Sequence, residues 1–302
     1  MPRAVRRPNW PGGIEPRPPE RRTGVDYETA WARRYPVRLV RAAMTDSLTL
    51  PLAKVICSPV IEGLEHLDVL EGPAIFTANH ASHLDTGLLI SCLPARIRHR
   101  TVVAAAADYF FDERWKGAFW AFALNSIPME RVKVNRRSAN LAADLIDEGW
   151  NLVIFPEGGR SPDGWGQEFK GGAAYLAKRC GVPVVPMHMA GTRAILAKGS
   201  GRFRPGTTQV RYGRPLWPGL TPSGMEEDAR HFSARLEQAV ALLADEAETD
   251  WWSARRRAAS GSTPALRGPD VSPWRRAWSL PESAGGRPDR EAGRSPSWPF
   301  KK

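Results

Sequence analysis

Cysteine is scarce in this chain. There are three in 302 residues, Cys57, Cys92 and Cys180, and no two stand at C-x-x-C spacing. An odd number of widely separated thiols argues against a disulfide framework or a structural zinc site and fits a reducing compartment. Long apolar runs are missing as well. The longest stretches without Asp, Glu, Lys or Arg are thirteen residues, at 72–84, 117–129 and 180–192. A helical bilayer crossing needs roughly 18 or more. Pro and Arg crowd the first residues and no apolar region follows them, so no secretory leader is expected and the expected compartment is the cytoplasm. Several motifs are also absent: G-x-S-x-G, G-x-G-x-x-G, the Walker phosphate loop and H-E-x-x-H. Covalent serine hydrolysis, dinucleotide binding and zinc proteolysis thereby lose their usual markers.

What is present is a 42% apolar composition, enough for a sizeable core, and a formal net charge of +11. The charge is unevenly placed. Residues 1–24 carry six Arg against two Glu, and residues 251–302 carry nine Arg and two Lys against four acids. Residues 25–250 hold 26 basic and 26 acidic side chains and so have no net charge. The two ends also hold 13 of the 27 prolines. Residues 1–24 and 251–302 therefore read as disordered basic tails around one neutral domain, 25–250. Half of the 12 tryptophans lie in these tails, as in Ser272-Pro273-Trp274-Arg275-Arg276-Ala277-Trp278. Trp beside Arg suits an anionic membrane interface, and it also suits single-stranded nucleic acid. An Arg/Pro-rich tail with incidental Trp explains the composition equally well.

Within the domain, residues 26–56 read mainly as an arginine-bearing amphipathic helix with a break at Pro36. It either lies on a membrane or packs on the domain with its arginines in water. Strands and helices then alternate. Short apolar strands are expected at 74–78, 101–106, 127–129, 151–155 and 182–187, with a late one near Val210 and Tyr212. Helices are expected at 85–93, 110–124, 137–148, 171–179 and 228–247, the last with Phe232, Leu236, Val240 and Leu243 inward. The alternation predicts an α/β fold with a mostly parallel central sheet flanked by helices.

Four segments carry candidate chemistry. In Asn79-His80-Ala81-Ser82-His83-Leu84-Asp85 a strand ends at His80 and a helix begins near Asp85. His80 thus falls at the carboxyl end of a strand, where open α/β sheets place their sites. Asp85 is within reach of one ring nitrogen, which leaves the other to take a proton from an alcohol. Such a pair is also a common structural hydrogen bond, and His83 is a less well placed rival to His80. The second segment is Phe155-Pro156-Glu157-Gly158-Gly159-Arg160-Ser161. Its glycines admit close backbone approach, Arg160 can hold a phosphate oxygen, and Glu157 can accept a hydroxyl or fix an arginine. A tight turn with a surface ion pair is the simpler alternative. The third, Ile127-Pro128-Met129-Glu130-Arg131, offers Arg131 at a strand end as a phosphate ligand or as part of a solvated basic turn. The fourth, Val182-Pro183-Val184-Val185-Pro186, reads as a structural wall.

In order, these four blocks resemble the PlsC-type glycerolipid acyltransferases, also called 1-acyl-sn-glycerol-3-phosphate acyltransferases. Asn79-His80 to Asp85 is similar to their His-x₄-Asp block, and Phe155 to Ser161 to their F-P-E-G-T-R-S. The departures are Gly159 in place of Thr, Glu130 where Asp is common, and Phe169-Lys170-Gly171-Gly172 in place of the more usual F-K-x-G with its extra basic residue. The resemblance covers about residues 60–215. It implies transfer of a fatty acyl group from acyl-CoA or acyl-carrier protein to a lysophospholipid hydroxyl, with His80 as base and Asp85 as its partner. It further implies that Arg131, Glu157, Gly158, Gly159 and Arg160 shape the acceptor site. No metal or bound cofactor is implied; the thioester is a cosubstrate. The implied setting is peripheral, at the cytoplasmic face of an anionic membrane, and nucleic acid is not the expected partner. Another lipid or lipophilic alcohol as acceptor stays open. So does a non-enzymatic membrane- or nucleic-acid-binding protein on the same scaffold.

Overall fold

The computed structural model describes residues 24–130, 136–197, 202–219 and 226–280. Two 3-10 turns, Gly24–Asp26 and Ala30–Arg33, precede helix α1 (Tyr35–Met44). A π-helical turn, Thr45–Thr49, runs α1 directly into α2 (Leu50–Cys57). Then follow β1 (Pro59–Glu62), β2 (Ile75–Ala78), α3 (Leu84–Cys92), α4 (Ala95–Arg98), β3 (Thr101–Ala106), α5 (Ala107–Phe110) and α6 (Arg114–Leu124). The second half adds β4 (Ser126–Met129), α7 (Arg136–Asp147), β5 (Asn151–Ile154), α8 (Gly172–Cys180), β6 (Val184–Ala190), α9 (Thr192–Ile195) and β7 (Thr208–Tyr212). It closes with α10 (Ala229–Glu248), α11 (Trp251–Ala259) and α12 (Pro273–Trp278).

The strands form one sheet in the order β1-β7-β6-β2-β5-β3-β4. Every ladder is parallel except that between β6 and β7. The expected mostly parallel α/β sheet is therefore present. Successive residues of each strand point to opposite faces. Phe76, Val153, Val185 and Met187 pack on one side with Leu88 and Leu89 of α3. Ile75, Leu152, Ile154 and Val184 pack on the other with α7, α8 and α10. Both faces are covered, which is what a parallel sheet requires. Phe232, Leu236, Val240 and Leu243 are the inward side of α10, as their spacing predicts. The Asp228 carboxylate caps that helix, accepting the His231 N–H at 2.7 Å. Cys57, Cys92 and Cys180 are free thiols.

The structure corrects the sequence reading in three places. Pro36 does not break a helix. It stands in the first turn of α1, where a missing N–H costs nothing because first-turn donors have no intrahelical partner. Strand β1 was not anticipated; Pro59-Val60-Ile61-Glu62 is too short to show a period, yet it pairs with β7 along its whole length. The third correction concerns 251–302 as a disordered tail. Residues 251–280 carry two helices, and Ala254 is fully buried. Asp245 and Glu246, at the end of α10, are buried carboxylates that need compensation. Arg257 reaches Asp245, and Arg255 reaches Glu246 at 3.0 Å. Net charge counted these arginines as excess, whereas they serve as internal partners. The remaining parts of both tails, 1–23 and 281–302, lie outside the described residues, as does Arg131.

Candidate active site

Strand β2 ends at Ala78, and α3 begins at Leu84. The intervening turn is held at its start by Asn79, whose side chain donates to Met189 O and accepts from Met189 N, both at 2.8 Å. This two-point bond to β6 fixes where the chain leaves the sheet. His80 follows, and its Nδ1–H donates to Asp85 Oδ2 at 2.9 Å. Asp85 is in the first turn of α3 and is 1% exposed. Its Oδ2 also accepts the backbone N–H of Ala81 (2.7 Å) and Ser82 (2.8 Å). The carboxylate thus folds the turn and orients the imidazole with the same oxygen. With Nδ1 committed as donor, Nε2 is the ring nitrogen able to accept a proton. The Phe155 ring stacks on the imidazole with centroids 4.1 Å apart and planes 20° from parallel, which sets the ring plane.

The backbone of His80 is held independently of its side chain. Its N–H donates to Glu157 Oε1 at 2.9 Å, and its C=O accepts the Ser161 N–H at 2.8 Å. Glu157 Oε2 accepts the Gln167 N–H at 3.1 Å. Glu157 is 3% exposed, and burial pushes its carboxyl up to about 8, against the pull of these two N–H donors. A raised carboxyl pKa means that the folded state binds the proton more tightly than the unfolded chain. The contribution of this group to stability is therefore complete below about 4.5 and is lost as pH rises toward 8. Melting temperatures across that window should fall with pH, and Glu157→Gln should flatten the trend; an unchanged slope in the variant would assign it to other groups.

A cavity of about 510 Å³ opens beside this pair. His80, His83, Gly158, Gly159 and Arg160 stand at its polar end. Its body is lined by Val103, Phe110, Trp120, Leu124, Met129, Ile154 and Leu176, among others. The volume lies in the range of small-ligand sites, and the apolar lining with few polar groups is what such sites show. Lys170, Gly171 at the N-cap of α8 and Gly172, its first residue, also border it, so a helix N-terminus adds to the positive end. Gly158 has φ +71°, and a Cβ there would lie 2.7 Å from Lys170 Nζ. The turn's positive φ favours glycine here, and a larger residue would also push the lysine aside. Burial, then the Arg160 charge, then His80 depress the His83 pKa, while Asp85 opposes this. His188, in β6, is a core residue whose burial drives its pKa down to about 4.

The structure therefore brings His80, Asp85, Gly158, Gly159 and Arg160 together. Glu157 is beside them in a different role from that expected: it does not line the cavity but ties His80 to Gln167. Phe155, Lys170, Gln167 and Ser161 were not picked out as site residues. Among the described residues, no group of three or more His, Cys, Asp or Glu is arranged to hold a metal ion. None of the helices among those residues is long and apolar enough to cross a membrane.

Residues 58–190 match the family model described as Acyltransferase. The chain is 31% identical over 167 residues to a chloroplastic 1-acyl-sn-glycerol-3-phosphate acyltransferase of Brassica napus, covering 52% of this chain and 44% of the relative. It is 28% identical over 192 residues to the human 1-acyl-sn-glycerol-3-phosphate acyltransferase alpha, covering 63% of this chain and 65% of the relative. The chain spans about half the length of the plant relatives it matches. The crystal structure of PlsC from Thermotoga maritima, described as a 1-acyl-sn-glycerophosphate acyltransferase, superposes with a TM-score of 0.52 at 24% identity. The superposition covers 73% of this chain and 83% of that one, and it shows a shared fold.

Proposed function

We propose that this chain is a PlsC-type glycerolipid acyltransferase and that it moves a fatty acyl group from an acyl thioester to the hydroxyl of 1-acyl-sn-glycerol-3-phosphate, giving phosphatidic acid. The observation that carries the reading is the His80–Asp85 pair at the polar end of an apolar cavity. His80 Nε2 takes the proton of the acceptor hydroxyl as its oxygen attacks the thioester carbonyl. Asp85 stabilises the imidazolium so formed. The tetrahedral intermediate collapses with cleavage of the C–S bond, and the imidazolium returns its proton to the leaving thiolate. No acyl-enzyme is required, so the missing nucleophile-elbow serine is no obstacle. The apolar walls suit an acyl chain, each methylene withdrawn from water contributing about 0.8 kcal/mol. Arg160 and Lys170, with the N-terminus of α8, suit the acceptor phosphate.

The donor is acyl-CoA or acyl-carrier protein. The enzyme sits peripherally on the cytoplasmic face of a membrane. Tyr35, Leu39, Val40, Leu48, Leu52 and Val55 on the α1–α2 segment are exposed and support that placement.

An acceptor competition tests the reading. Purified chain is given equal amounts of 1-acyl-glycerol-3-phosphate and 1-acylglycerol with a long-chain acyl-CoA, and the products are weighed by mass spectrometry. Phosphatidic acid should dominate. A predominance of diacylglycerol would overturn the acceptor assignment, and acylation of neither would overturn the enzyme reading.

A further inference from the structure

The turn that holds His80 is itself held from outside the catalytic segment. Residues 161–167 leave Ser161 and return at Gln167, the two residues whose N–H groups bond His80 O and Glu157 Oε2. Within this loop, Ser161 Oγ accepts the Gly164 N–H at 2.7 Å, and Gln167 Nε2 donates to Gly159 O at 3.1 Å. Several further contacts of the loop come from the chain's C-terminal segment. Gly166 N–H donates to Leu266 O at 2.9 Å. Trp165 Nε1 donates to Arg276 O at 2.9 Å. The Arg276 guanidinium donates through Nε to Asp163 Oδ2 at 3.0 Å and places Nη2 2.9 Å from the same oxygen. Its Nη1 donates to Pro269 O at 2.8 Å, which locks the segment on itself. Close packing completes the clasp. A Cβ on Gly268 would fall 2.2 Å from the Trp165 indole, and a Cβ on Gly164 would fall 3.0 Å from Leu280.

From this geometry we infer that residues 264–280 are a clasp that positions the general base, with Arg276 and Trp165 as positioning residues. The inference rests on the acyl-transfer reading of His80. Residues 264–280 lie outside 58–190, the part that matches the acyltransferase family model. His80 must present Nε2 to an acceptor hydroxyl within a narrow range of distance and angle, and small displacements of a catalytic group are costly. Asp85 and Phe155 fix the ring, but the backbone under it is fixed by Glu157 and Ser161. Both are bonded into a loop whose outer side rests on Arg276 and Leu266. Arg276 is suited to this because its planar fork serves Asp163 and Pro269 O together, which a lysine cannot do.

The test uses the full chain with 1-acyl-glycerol-3-phosphate and a long-chain acyl-CoA. Arg276→Ala should lower kcat about tenfold with little change in KM for either substrate. Arg276→Lys should restore part of kcat. Amide hydrogen exchange at 161–167 should speed up in Arg276→Ala, and the pH profile of kcat should broaden or shift. Arg257→Ala is the control. It breaks the ion pair with the buried Asp245, remote in sequence from this loop. It should lower the melting temperature but leave kcat as it was. Wild-type kcat in Arg276→Ala, with or without faster exchange, would overturn the clasp. So would equal losses of kcat in both variants, because the effect would then be one of stability. If His80→Ala also keeps full activity, the functional reading itself has failed. If His80→Ala is inactive while Arg276→Ala is fully active, only the clasp has failed.

Discussion

Alanine at position 80 should reduce acyl transfer by about 10³-fold, the usual worth of a positioned general base, while the fold survives. The reason is visible in how His80 is attached. Its N–H and C=O carry the bonds to Glu157 and Ser161, and a substitution of the side chain leaves both in place. Losses are confined to the stacking on Phe155 and one of the three donors to Asp85 Oδ2. The melting temperature of His80→Ala should therefore stay near that of the parent while kcat collapses. His83→Ala separates the two histidines. That residue also faces the cavity, but no bond joins it to Asp85, so most of the activity should remain. Activity retained in His80→Ala and lost in His83→Ala would reverse the assignment.

Asparagine at position 85 should be nearly as damaging to turnover, for a different reason. Asp85 Oδ2 takes all three N–H donors, whereas Oδ1 is buried with no partner among the described residues. An amide oxygen in the Oδ2 place keeps the three bonds and the turn, and only the charge is lost. An imidazolium would then form without its counter-charge, costing about 10²-fold or more in kcat. Stability should change little. Asp85→Ala would in contrast leave the Ala81 and Ser82 N–H groups without their acceptor, at about 1–3 kcal/mol for each one left unsatisfied. Comparing kcat and thermal melting for the two variants separates charge from geometry. If Asp85→Asn kept full kcat, the carboxylate would be a turn-former and nothing more.

The strands and principal helices were legible in the sequence because their signals are local. The short apolar runs of β2, β5 and β6, buried along their whole length, and the 3.6-residue spacing in α10 need no knowledge of partners. His80, Asp85, Gly158, Gly159 and Arg160 were legible because strand ends, glycines and charges announce themselves in short windows. What escaped depends on residues far apart. The antiparallel direction of β7 follows from its place between β1 and β6, not from its own composition. Glu157 looked like a substrate ligand because nothing in its neighbourhood shows that it faces the His80 N–H, 77 positions away. Residues 251–280 looked unstructured because their arginines were counted without Asp245, Glu246 and Asp163, the acids they meet.

The placement of β1 has a consequence for how the chain must assemble. Its single neighbour in the sheet is β7, and Glu62 and Arg211, which face each other across that ladder, are 149 positions apart. The strands at the centre, β2, β5 and β6, can pair with one another before β7 exists. During synthesis the first strand to leave the ribosome is thus the last to gain a partner, and α1 and α2, with their exposed apolar side chains, wait with it. Long-range pairing of this kind closes late and slowly. Until it does, the nascent chain presents two helices with exposed apolar side chains on a tether that the half-built sheet has not yet claimed.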